Sequence, residues 1–272
     1  MTETNLISLR GLELIITYRG SSEERRDNLR GVLRHLHRTY SDYQVWLIEA
    51  DAAPTFIWNE FGDPKIRHVF LHETGPFPKA RLVNLGALMT KSPIICMHDA
   101  DMIANPVYFR GALNALMDED KSDVLCPFTR VLNVSGDPRK SFIESGDFDR
   151  LAPVLDGELP ADINLLYDNT PGAINLFRRA EFIRVGGLDP AFIGWGGEDD
   201  DLLIRAGRLG VRWHSFTGAH AALFHLNHDS ASRNQSLDEE DIAKNRQRAF
   251  RTNEIPIDEL EARAAELSKY FG

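Results

Sequence analysis

The chain lacks several features that mark other classes of protein. It has only two cysteines among 272 residues, Cys96 and Cys126, and both lie in apolar runs. This setting predicts small buried hydrophobic side chains in a reducing compartment rather than disulfides. No apolar run is long enough to cross a bilayer, and no apolar secretory leader opens the chain. We therefore expect a soluble cytoplasmic protein without a transmembrane segment, or a domain of a larger one.

An excess of positive charge is also missing. The net charge is −10, which argues against broad binding to nucleic acid or to an anionic membrane. A few local cations are still compatible with an anionic small substrate. The hydrophobic content of 43% and charged content of 26% are ordinary for a soluble globular protein, and we find no internal repeat. The length predicts one large α/β domain or two small ones.

Apolar strands alternate with helices through the first half of the chain. The strands are predicted at 12–18, 43–49, 65–71 and 93–98, and helices at 79–90 and 106–118. This alternation predicts an α/β fold with a mostly parallel central sheet. Ligands of such sheets bind at the carboxyl ends of the strands. The polar residues at these ends are Arg19, Glu49, Asp51, Asp99 and Asp101.

The second half is less regular. Residues 133–170 are rich in Asp, Gly, Ser and Pro with weak periodicity, which predicts a long loop. A late strand is predicted at 211–216, and a charged helical tail from about residue 237. The apolar stripe of this tail is expected to pack against the domain, with contact to a membrane surface as the alternative. The stripe consists of Ile257, Leu260, Ala264 and Leu267.

The most informative stretch is 193–201, Ile-Gly-Trp-Gly-Gly-Glu-Asp-Asp-Asp. The glycines allow a sharp bend that exposes Trp195, and the four acids that follow it open a predicted helix. An aromatic ring beside carboxylates is typical of sugar recognition, and one carboxylate could deprotonate a hydroxyl. The alternative is pairing of acids with the positive end of the helix dipole. That explains one or two acids but not four in succession.

A candidate metal site begins with Asp99-Ala100-Asp101, directly after an apolar strand. Such a pair can hold Mg²⁺ or Mn²⁺ bridging a diphosphate, although it also occurs as a solvated turn. His225 and His228 could complete the shell around Asp101, and imidazole ligands favour Mn²⁺. Two nearby histidines are weaker candidates: His214 and His220.

Three cations stand out in this acidic chain. Arg19 follows the first strand, and Lys79 and Arg81 follow Gly75-Pro76-Phe77-Pro78 at the start of a predicted helix. Helix N-termini bind phosphate, so these side chains are candidate phosphate ligands. The alternative for each is a solvated charge. Asn84, about one turn further on, is expected to face the same cleft.

Four blocks of this sequence together resemble the inverting GT-A glycosyltransferases of the β-1,4-galactosyltransferase type and related bacterial family-two glycosyltransferases. They occur in the family's order within about residues 12–230: Ile15-Ile16-Thr17-Tyr18-Arg19, Gly75-Pro76-Phe77-Pro78-Lys79-Ala80-Arg81-Leu82-Val83-Asn84, His98-Asp99-Ala100-Asp101 and Gly194-Trp195-Gly196-Gly197-Glu198-Asp199-Asp200-Asp201. The resemblance implies a GT-A domain over 1–235, with a nucleotide-sugar half (about 1–130) and an acceptor and catalytic half (about 131–235). A helical C-terminal extension would follow at 236–272.

The resemblance also implies a role for each matched position. Asp199 would be the catalytic base. The sugar substrates would contact Trp195, Gly197, Glu198 and Asp200. The nucleotide would contact Thr17, Tyr18, Arg19, Glu49, Lys79, Arg81, Asn84 and Asp99. The metal ligands would be Asp101, His225 and His228.

The implied reaction is metal-dependent transfer of galactose or N-acetylgalactosamine from a UDP-sugar to a saccharide or glycolipid acceptor, with inversion. Mn²⁺ is the implied cofactor, with Mg²⁺ as the alternative, and polysaccharide or glycan biosynthesis the implied setting. Two positions depart from the family. Lys79 stands where arginine is common in the family. A compact ammonium charge therefore replaces a guanidinium group, which can donate two parallel hydrogen bonds to a phosphate. His225 and His228 form His-x-x-His where members have Met-x-x-His or His-x-His.

Two other classes remain open from the sequence. A metal-dependent nucleotide hydrolase or nucleotidyltransferase also uses Asp-x-Asp, but it would not need the Trp-Gly-Gly-acid element. A non-catalytic module that binds sugar or nucleotide could keep the fold. The intact acids and paired histidines argue against that loss of activity.

Overall fold

The computed structural model describes residues 6–57, 63–118, 120–169, 171–194, 196–228 and 239–272. The strands are β1 Ile7–Ser8, β2 Leu12–Tyr18, β3 Tyr40–Ser41, β4 Gln44–Asp51, β5 Ile66–His72, β6 Ile94–Asp99, β7 Met102–Ala104, β8 Val124–Cys126, β9 Arg130–Val134, β10 Ile163–Asp168, β11 Ile174–Arg178, β12 Trp213–Ser215 and β13 Ala222–Leu226. The helices are α1 Glu23–Thr39, α2 Lys79–Met89, α3 Pro106–Met117, α4 Gly136–Ser145, α5 Arg179–Arg184, α6 Glu198–Arg208, α7 Glu239–Arg251 and α8 Ile257–Ser268.

The central sheet has seven strands in the order β12-β8-β11-β6-β2-β4-β5. The strands β6, β2, β4 and β5 run parallel, while β11 runs antiparallel to both of its neighbours. The predicted α/β fold with a mostly parallel sheet is therefore confirmed. Thr17 pairs with both Ile48 and Asp99, so the carboxyl ends of β2, β4 and β6 meet at one edge.

Residues 133–170 are not the long loop that their composition predicts. They contain α4, two short 3₁₀ turns and β10, and β10 joins a second sheet in the order β10-β9-β13-β7. The prediction was wrong because β10 has no alternating burial, since Ile163 is its one buried residue, and its register shifts between Leu165 and Tyr167. Pairing with the distant β9 stabilises this strand, and a local pattern does not reveal such pairing.

The second sheet also contains a strand that the sequence reading missed. The strand predicted at 211–216 corresponds to the short β12 of the central sheet. The missed strand is β13, which follows it in the chain and is fully buried. In β13, His225 pairs antiparallel with Met102 of β7. The backbone N–H of Leu226 donates to the carbonyl of Asp101 at 2.8 Å. This pairing brings the late histidines to the acidic turn after β6.

Two apolar clusters cover the two faces of the central sheet. Along β2, Leu14 and Ile16 belong to one cluster and Ile15 to the other, as strand alternation requires. The first cluster includes the apolar face of α1, whose N-terminus is capped by Ser22. The second includes α2 and α6. The helices that begin at the site are thus anchored on a buried sheet.

The C-terminal tail is helical, as expected, and packs on the domain. Leu260 and Ala264 of the predicted stripe are buried, whereas Ile257 is 48% exposed. A Cβ atom on Gly186, just after α5, would lie 2.5 Å from the Cβ of Leu267, so α8 approaches this turn closely. None of the described helices has the length and apolar character needed to cross a membrane. The division at residue 235 stays a prediction.

A buried histidine joins α1 to the end of α4. The Nδ1–H of His35 donates to the carbonyl of Gly146 at 3.1 Å, and the ring packs against Tyr40 and Phe142. Burial lowers the pKa of His35 to about 4. The Gly146 carbonyl and the Asp147 carboxylate oppose this shift, while His98 adds to it. His35 is therefore neutral in the folded protein at neutral pH.

We expect His35 to make folding sensitive to mild acid. An unfolded histidine titrates near 6.5, so below that pH the unfolded state binds a proton that the folded state does not. Its contribution to stability is complete above pH 6.5 and is lost as the pH falls towards 4, on the order of 3 kcal/mol. Urea unfolding of the natural chain and of His35→Gln across this range measures it. The two stability curves should converge in acid, and a constant separation would contradict the assignment.

Candidate active site

A cavity of about 470 Å³ opens at the carboxyl ends of β2 and β6. Its volume lies within the range of small-molecule sites. Most of the side chains that the sequence nominates line it: Thr17, Tyr18, Arg19, Lys79, Asp99, Asp101, Gly197, Glu198, Asp199, Asp200, His225 and His228. Trp195 lies outside the described residues. Three nominated residues, Glu49, Arg81 and Asn84, do not line the cavity.

Glu49 is fully buried beneath the loop that follows β4. Its carboxylate accepts hydrogen bonds from the backbone and hydroxyl of Thr55, both at 2.6 Å, and pairs with His68 at 2.8 Å. Burial alone would raise the pKa of Glu49, but the His68 and Thr55 hydrogen bonds hold it below its usual value. Glu49 therefore holds this loop rather than lining the cavity, and its expected position near a base stays a prediction.

The geometry of α2 explains the other two departures. Arg81 is two residues after Lys79, about 200° around the helix, and it is exposed away from the cavity. Asn84 is buried, donating to the carbonyl of Leu188 at 2.7 Å and accepting from its N–H at 2.9 Å. Asn84 therefore ties α2 to the chain before the acidic element and does not face the cleft.

Three glycines shape the turn that leads into α6. Gly194, Gly196 and Gly197 have φ angles of 79°, 98° and 84°, a region that side chains disfavour. A Cβ atom on Gly197 would lie 2.8 Å from the carbonyl oxygen of Asn245, so glycine is required there. The helix begins immediately afterwards, at Glu198, which directs its first turn at the cavity.

One lysine holds three carboxylates at the centre of the cavity. The Lys79 Nζ lies 3.0 Å from Asp199 Oδ2, 3.1 Å from Glu198 Oε1 and 3.3 Å from Asp99 Oδ1. Burial alone would lower the pKa of Lys79, but these carboxylates raise it well above its usual value. Lys79 is therefore a cation that compensates an acidic cluster. The sequence predicts a phosphate contact for it, and its amine is directed at carboxylates.

Burial, with repulsion from neighbouring acids, raises the pKa values of two of these carboxyl groups, Asp99 and Glu198. Burial raises the pKa of Asp99 to about 7. The positive charge of Lys79 lowers this pKa, and the negative charge of Asp101 raises it further. Burial likewise raises the pKa of Glu198. The neighbouring Asp199 contacts Lys79 through Oδ2, while its Oδ1 is buried and accepts no hydrogen bond among the described residues. Among the described residues, Asp199 Oδ1 is thus a buried acceptor to which no donor is bonded.

The fourth acid of the run has a structural role. Asp201 is fully buried and pairs through Oδ2 with Arg205 at 3.0 Å. Its Oδ1 accepts from Thr252 at 2.6 Å and from Arg263 at 2.9 Å. Arg263 also pairs with Asp189 at 2.6 Å. Asp201 therefore fastens α6 to the C-terminal helices, and the other three acids line the cavity.

A candidate metal centre lies at the junction of the two sheets. The carboxylate Oδ2 of Asp101 lies 3.1 Å from His228 Nε2 and 3.9 Å from His225 Nε2. One potential ligand atom from each of the three residues lies within 4.8 Å of the others. Burial would raise the pKa of Asp101, but the two histidines hold it well below its usual value. Two imidazoles and a carboxylate form a donor set that suits a divalent transition metal.

A residue that the sequence reading missed orients this centre. Asn133 of β9 accepts a hydrogen bond from His225 Nδ1 at 2.8 Å, which leaves Nε2 directed at Asp101. Both histidines of the pair thus reach Asp101. The weaker candidates lie elsewhere, with His214 on Ser122 and His220 on Asp156. No local signal marks Asn133, because only the pairing of β9 with β13 brings it near.

The first strand contributes residues that shape the cavity wall. The Arg19 guanidinium donates to the carbonyls of Ala50 and Gly75, both at 2.8 Å, and to Glu73 at 3.3 Å. Burial raises the pKa of Tyr18 to about 12, so its phenol stays protonated. Arg19 thus lines the cavity while it holds two loops together. The lining residues that the sequence reading did not nominate include Ser21, Arg25, Phe128, Tyr167, Gly172 and Arg246.

Comparison with solved structures identifies the architecture. A catalytic domain of Drosophila β1,4-galactosyltransferase 7 in complex with xylobiose matches 93% of this chain and 84% of its own, with 18% identity and a TM-score of 0.50. A mutant of that enzyme, in complex with manganese, UDP-Gal and xylobiose, matches 89% of this chain and 80% of its own, with 17% identity and a TM-score of 0.51. The fold is therefore that of the GT-A glycosyltransferases.

One segment of the sequence gives a more specific likeness. Residues 157–229 match the family described as the N-terminal domain of galactosyltransferase. No curated protein matches the chain in sequence. The expected resemblance to galactosyltransferases is thus confirmed, in fold over most of the chain and in sequence over this segment. Together these findings indicate a galactosyltransferase-like glycosyltransferase.

The contrast between two adjacent acids can be tested by stability. Asp201→Asn should lower the unfolding free energy by about 3 kcal/mol or more, because it leaves buried arginine charge uncompensated. The matched substitution Asp200→Asn, at an exposed neighbour, should cost less than about 1 kcal/mol. Urea unfolding followed by circular dichroism measures both. Equal losses would contradict the separation of roles.

The orienting role of Asn133 can be tested by metal affinity. Asn133→Ala should weaken Mn²⁺ binding by about 10–100-fold, since His225 loses the partner that fixes its ring. Titration calorimetry with Mn²⁺ alone gives the affinity. Asn114→Ala is the matched control, because Asn114 is exposed on α3 and lies outside the cavity. An unchanged affinity in Asn133→Ala would remove the proposed role.

Proposed function

We propose that this protein transfers a sugar from a UDP-sugar to a saccharide hydroxyl, by single displacement with inversion at the anomeric carbon. The donor sugar is galactose or N-acetylgalactosamine, and the cofactor is Mn²⁺. The observation that carries the proposal is one cavity lined both by Asp199, whose Oδ1 has no hydrogen-bond partner among the described residues, and by the cluster of Asp101, His225 and His228. Transfer needs these two functions side by side.

The acceptor is activated by Asp199. Its Oδ1 takes the proton of the attacking hydroxyl as the new glycosidic bond forms, which is general-base catalysis worth about 10²–10⁴-fold. Lys79 holds the other oxygen and fixes the direction of Oδ1. Glu198 and Asp200 line the same cavity and bind sugar hydroxyls. Carboxylates near the anomeric carbon also stabilise an oxocarbenium-like transition state.

The leaving group is a nucleoside diphosphate. Asp101, His225 and His228 would hold a divalent cation, and such a cation supplies positive charge that stabilises the departing diphosphate. Arg19 and Arg25 line the cavity and add positive charge there. Thr17 and Tyr18, at the end of β2, form the wall for the nucleoside. Asp99, beside Thr17 in the sheet, is in reach of the ribose.

The proposal draws further support from the similar structures. The Drosophila enzyme binds manganese and UDP-Gal in one complex and xylobiose in both. A saccharide or glycolipid acceptor in polysaccharide or glycan synthesis follows from the same analogy. A nucleotide hydrolase is less well supported, because it leaves the first turn of α6 without a task. The cytoplasmic location expected from the sequence stays a prediction.

Substitution of the proposed base gives a direct test. Asp199→Asn should lower sugar transfer at least about 100-fold, because the amide cannot accept the hydroxyl proton. Binding of UDP with Mn²⁺, measured by titration calorimetry, should remain. The matched control is Asp258→Asn, at an exposed acid in the first turn of α8 outside the cavity, which should leave the transfer rate unchanged. Loss of UDP binding in Asp199→Asn would refute the base assignment.

The metal requirement is tested with the same titration on the natural chain. UDP should bind in the presence of Mn²⁺ and bind far more weakly with EDTA. His228→Ala should abolish this dependence, whereas His220→Ala, an exposed histidine outside the cluster, should preserve it. Absence of UDP binding in both conditions would refute the uridine donor.

A further inference from the structure

A second cavity, of about 790 Å³, lies beside the catalytic one. The two share Pro76 in their linings. The wall between them is short. Gly194, on the catalytic side, donates its N–H to the carbonyl of Phe77 at 3.2 Å, and Asn245, on the second side, donates to the carbonyl of Ile193 at 3.0 Å. The two cavities are therefore neighbours, separated by the chain around Ile193 and Gly194.

Helix α7 supplies cations to both cavities from opposite faces. Lys244, Arg248 and Arg251 are spaced four and three residues apart, so they share one face, and all three line the second cavity. Arg246 lies about 160° from Arg248 around the helix and lines the catalytic cavity. The helix therefore separates the two cavities and presents positive charge to each.

Some of the charge in the second cavity is already compensated. Lys244 pairs with Glu240 at 2.9 Å and lies 3.7 Å from Asp241. Arg263 pairs with Asp189 at 2.6 Å. These pairs account for both carboxylates in the lining, Asp189 and Asp241. Positive charge beyond these pairs is available to a ligand.

Arg248 and Arg251 carry that remaining charge. Neither has a carboxylate partner within the described parts of the chain, and both are exposed. The Arg248 guanidinium lies over the ring of Phe192, 5.6 Å from its centroid, which restricts its motion. In a chain of net charge −10, these two arginines form a local excess of positive charge in one cavity. Guanidinium groups are suited to carboxylate, sulfate and phosphate.

We propose that the second cavity is an acceptor subsite for an anionic sugar residue, beyond the residue that receives the transferred sugar. Arg248 and Arg251 bind its carboxylate or sulfate group, and Ile193 provides an apolar wall for the ring. The inference rests on the proposed function, and it makes the acceptor an acidic oligosaccharide. Neutral acceptors still reach the catalytic cavity but lack this contact.

Direct binding tests the subsite without a transfer assay. The probes are tetragalacturonate, the same oligomer with its carboxyl groups reduced to alcohols, and a sulfated form of the reduced oligomer. Each is titrated into the full chain, the double variant Arg248→Gln/Arg251→Gln and the control Arg10→Gln/Arg67→Gln. The control removes the same charge from exposed arginines near the amino ends of β2 and β5, which lie opposite the cavities. UDP with Mn²⁺ is titrated into all three proteins.

The natural chain should bind tetragalacturonate about tenfold more tightly than its reduced form, and the double variant should lose this preference. The control should keep it. Comparable binding of the sulfated form would support an anion site that accepts either group, and weak binding would support a carboxylate site. Equal affinity for acidic and reduced oligomers, or equal losses in both variants, would overturn the subsite. UDP binding tests the proposed function separately. If the natural chain preferred the acidic oligomer but did not bind UDP, the UDP donor would be refuted and the subsite would stand.

Discussion

The ion cluster around Lys79 is the interaction on which the site depends. Without a central cation, Asp99, Glu198 and Asp199 would repel one another in a poorly solvated cavity. With it, carboxylates from β6 and from α6, distant in sequence, are held around one ammonium group at 3.0–3.3 Å. The cluster joins the nucleotide side of the cavity to the proposed acceptor side. A single buried charge thus fixes the relative position of the two proposed reactants.

A lysine at position 79 fits this arrangement, although the family that the sequence resembles commonly has arginine there. An ammonium group is a compact charge with three donors that can point in different directions, whereas a guanidinium group is a planar fork. Oxygens of three carboxylates lie within 3.3 Å of Lys79 Nζ. The departure noted in the sequence is therefore consistent with a local function, which is compensation of acids rather than forked contact with phosphate.

Local patterns in the sequence were enough to predict the parallel strands and the acidic helix start, and they also nominated Asp101, His225 and His228, which the fold brings together. Strands such as β2 and β6 are continuous apolar runs that end in polar residues, and a short chain segment contains that whole signal. The second sheet was not predictable in this way, because β10 and β13 are defined by distant partners. Asn133 was missed for the same reason. Glu49, Arg81 and Asn84 were misplaced because order along the chain does not give the side of a helix or the depth of a side chain.

The bonds of Asp201 have a consequence for the evolution and engineering of the chain. Thr252 and Arg263 belong to the tail, yet they complete the charge balance of a residue two positions from the proposed base. The tail also meets the acid turn at Asn245, whose carbonyl approaches Gly197. A shortened or exchanged tail would therefore disturb α6, which holds the proposed base. A fusion partner should therefore be attached where the bonds of Thr252 and Arg263 to Asp201 are kept. A chimera with a related enzyme should exchange α6 and the tail as one unit.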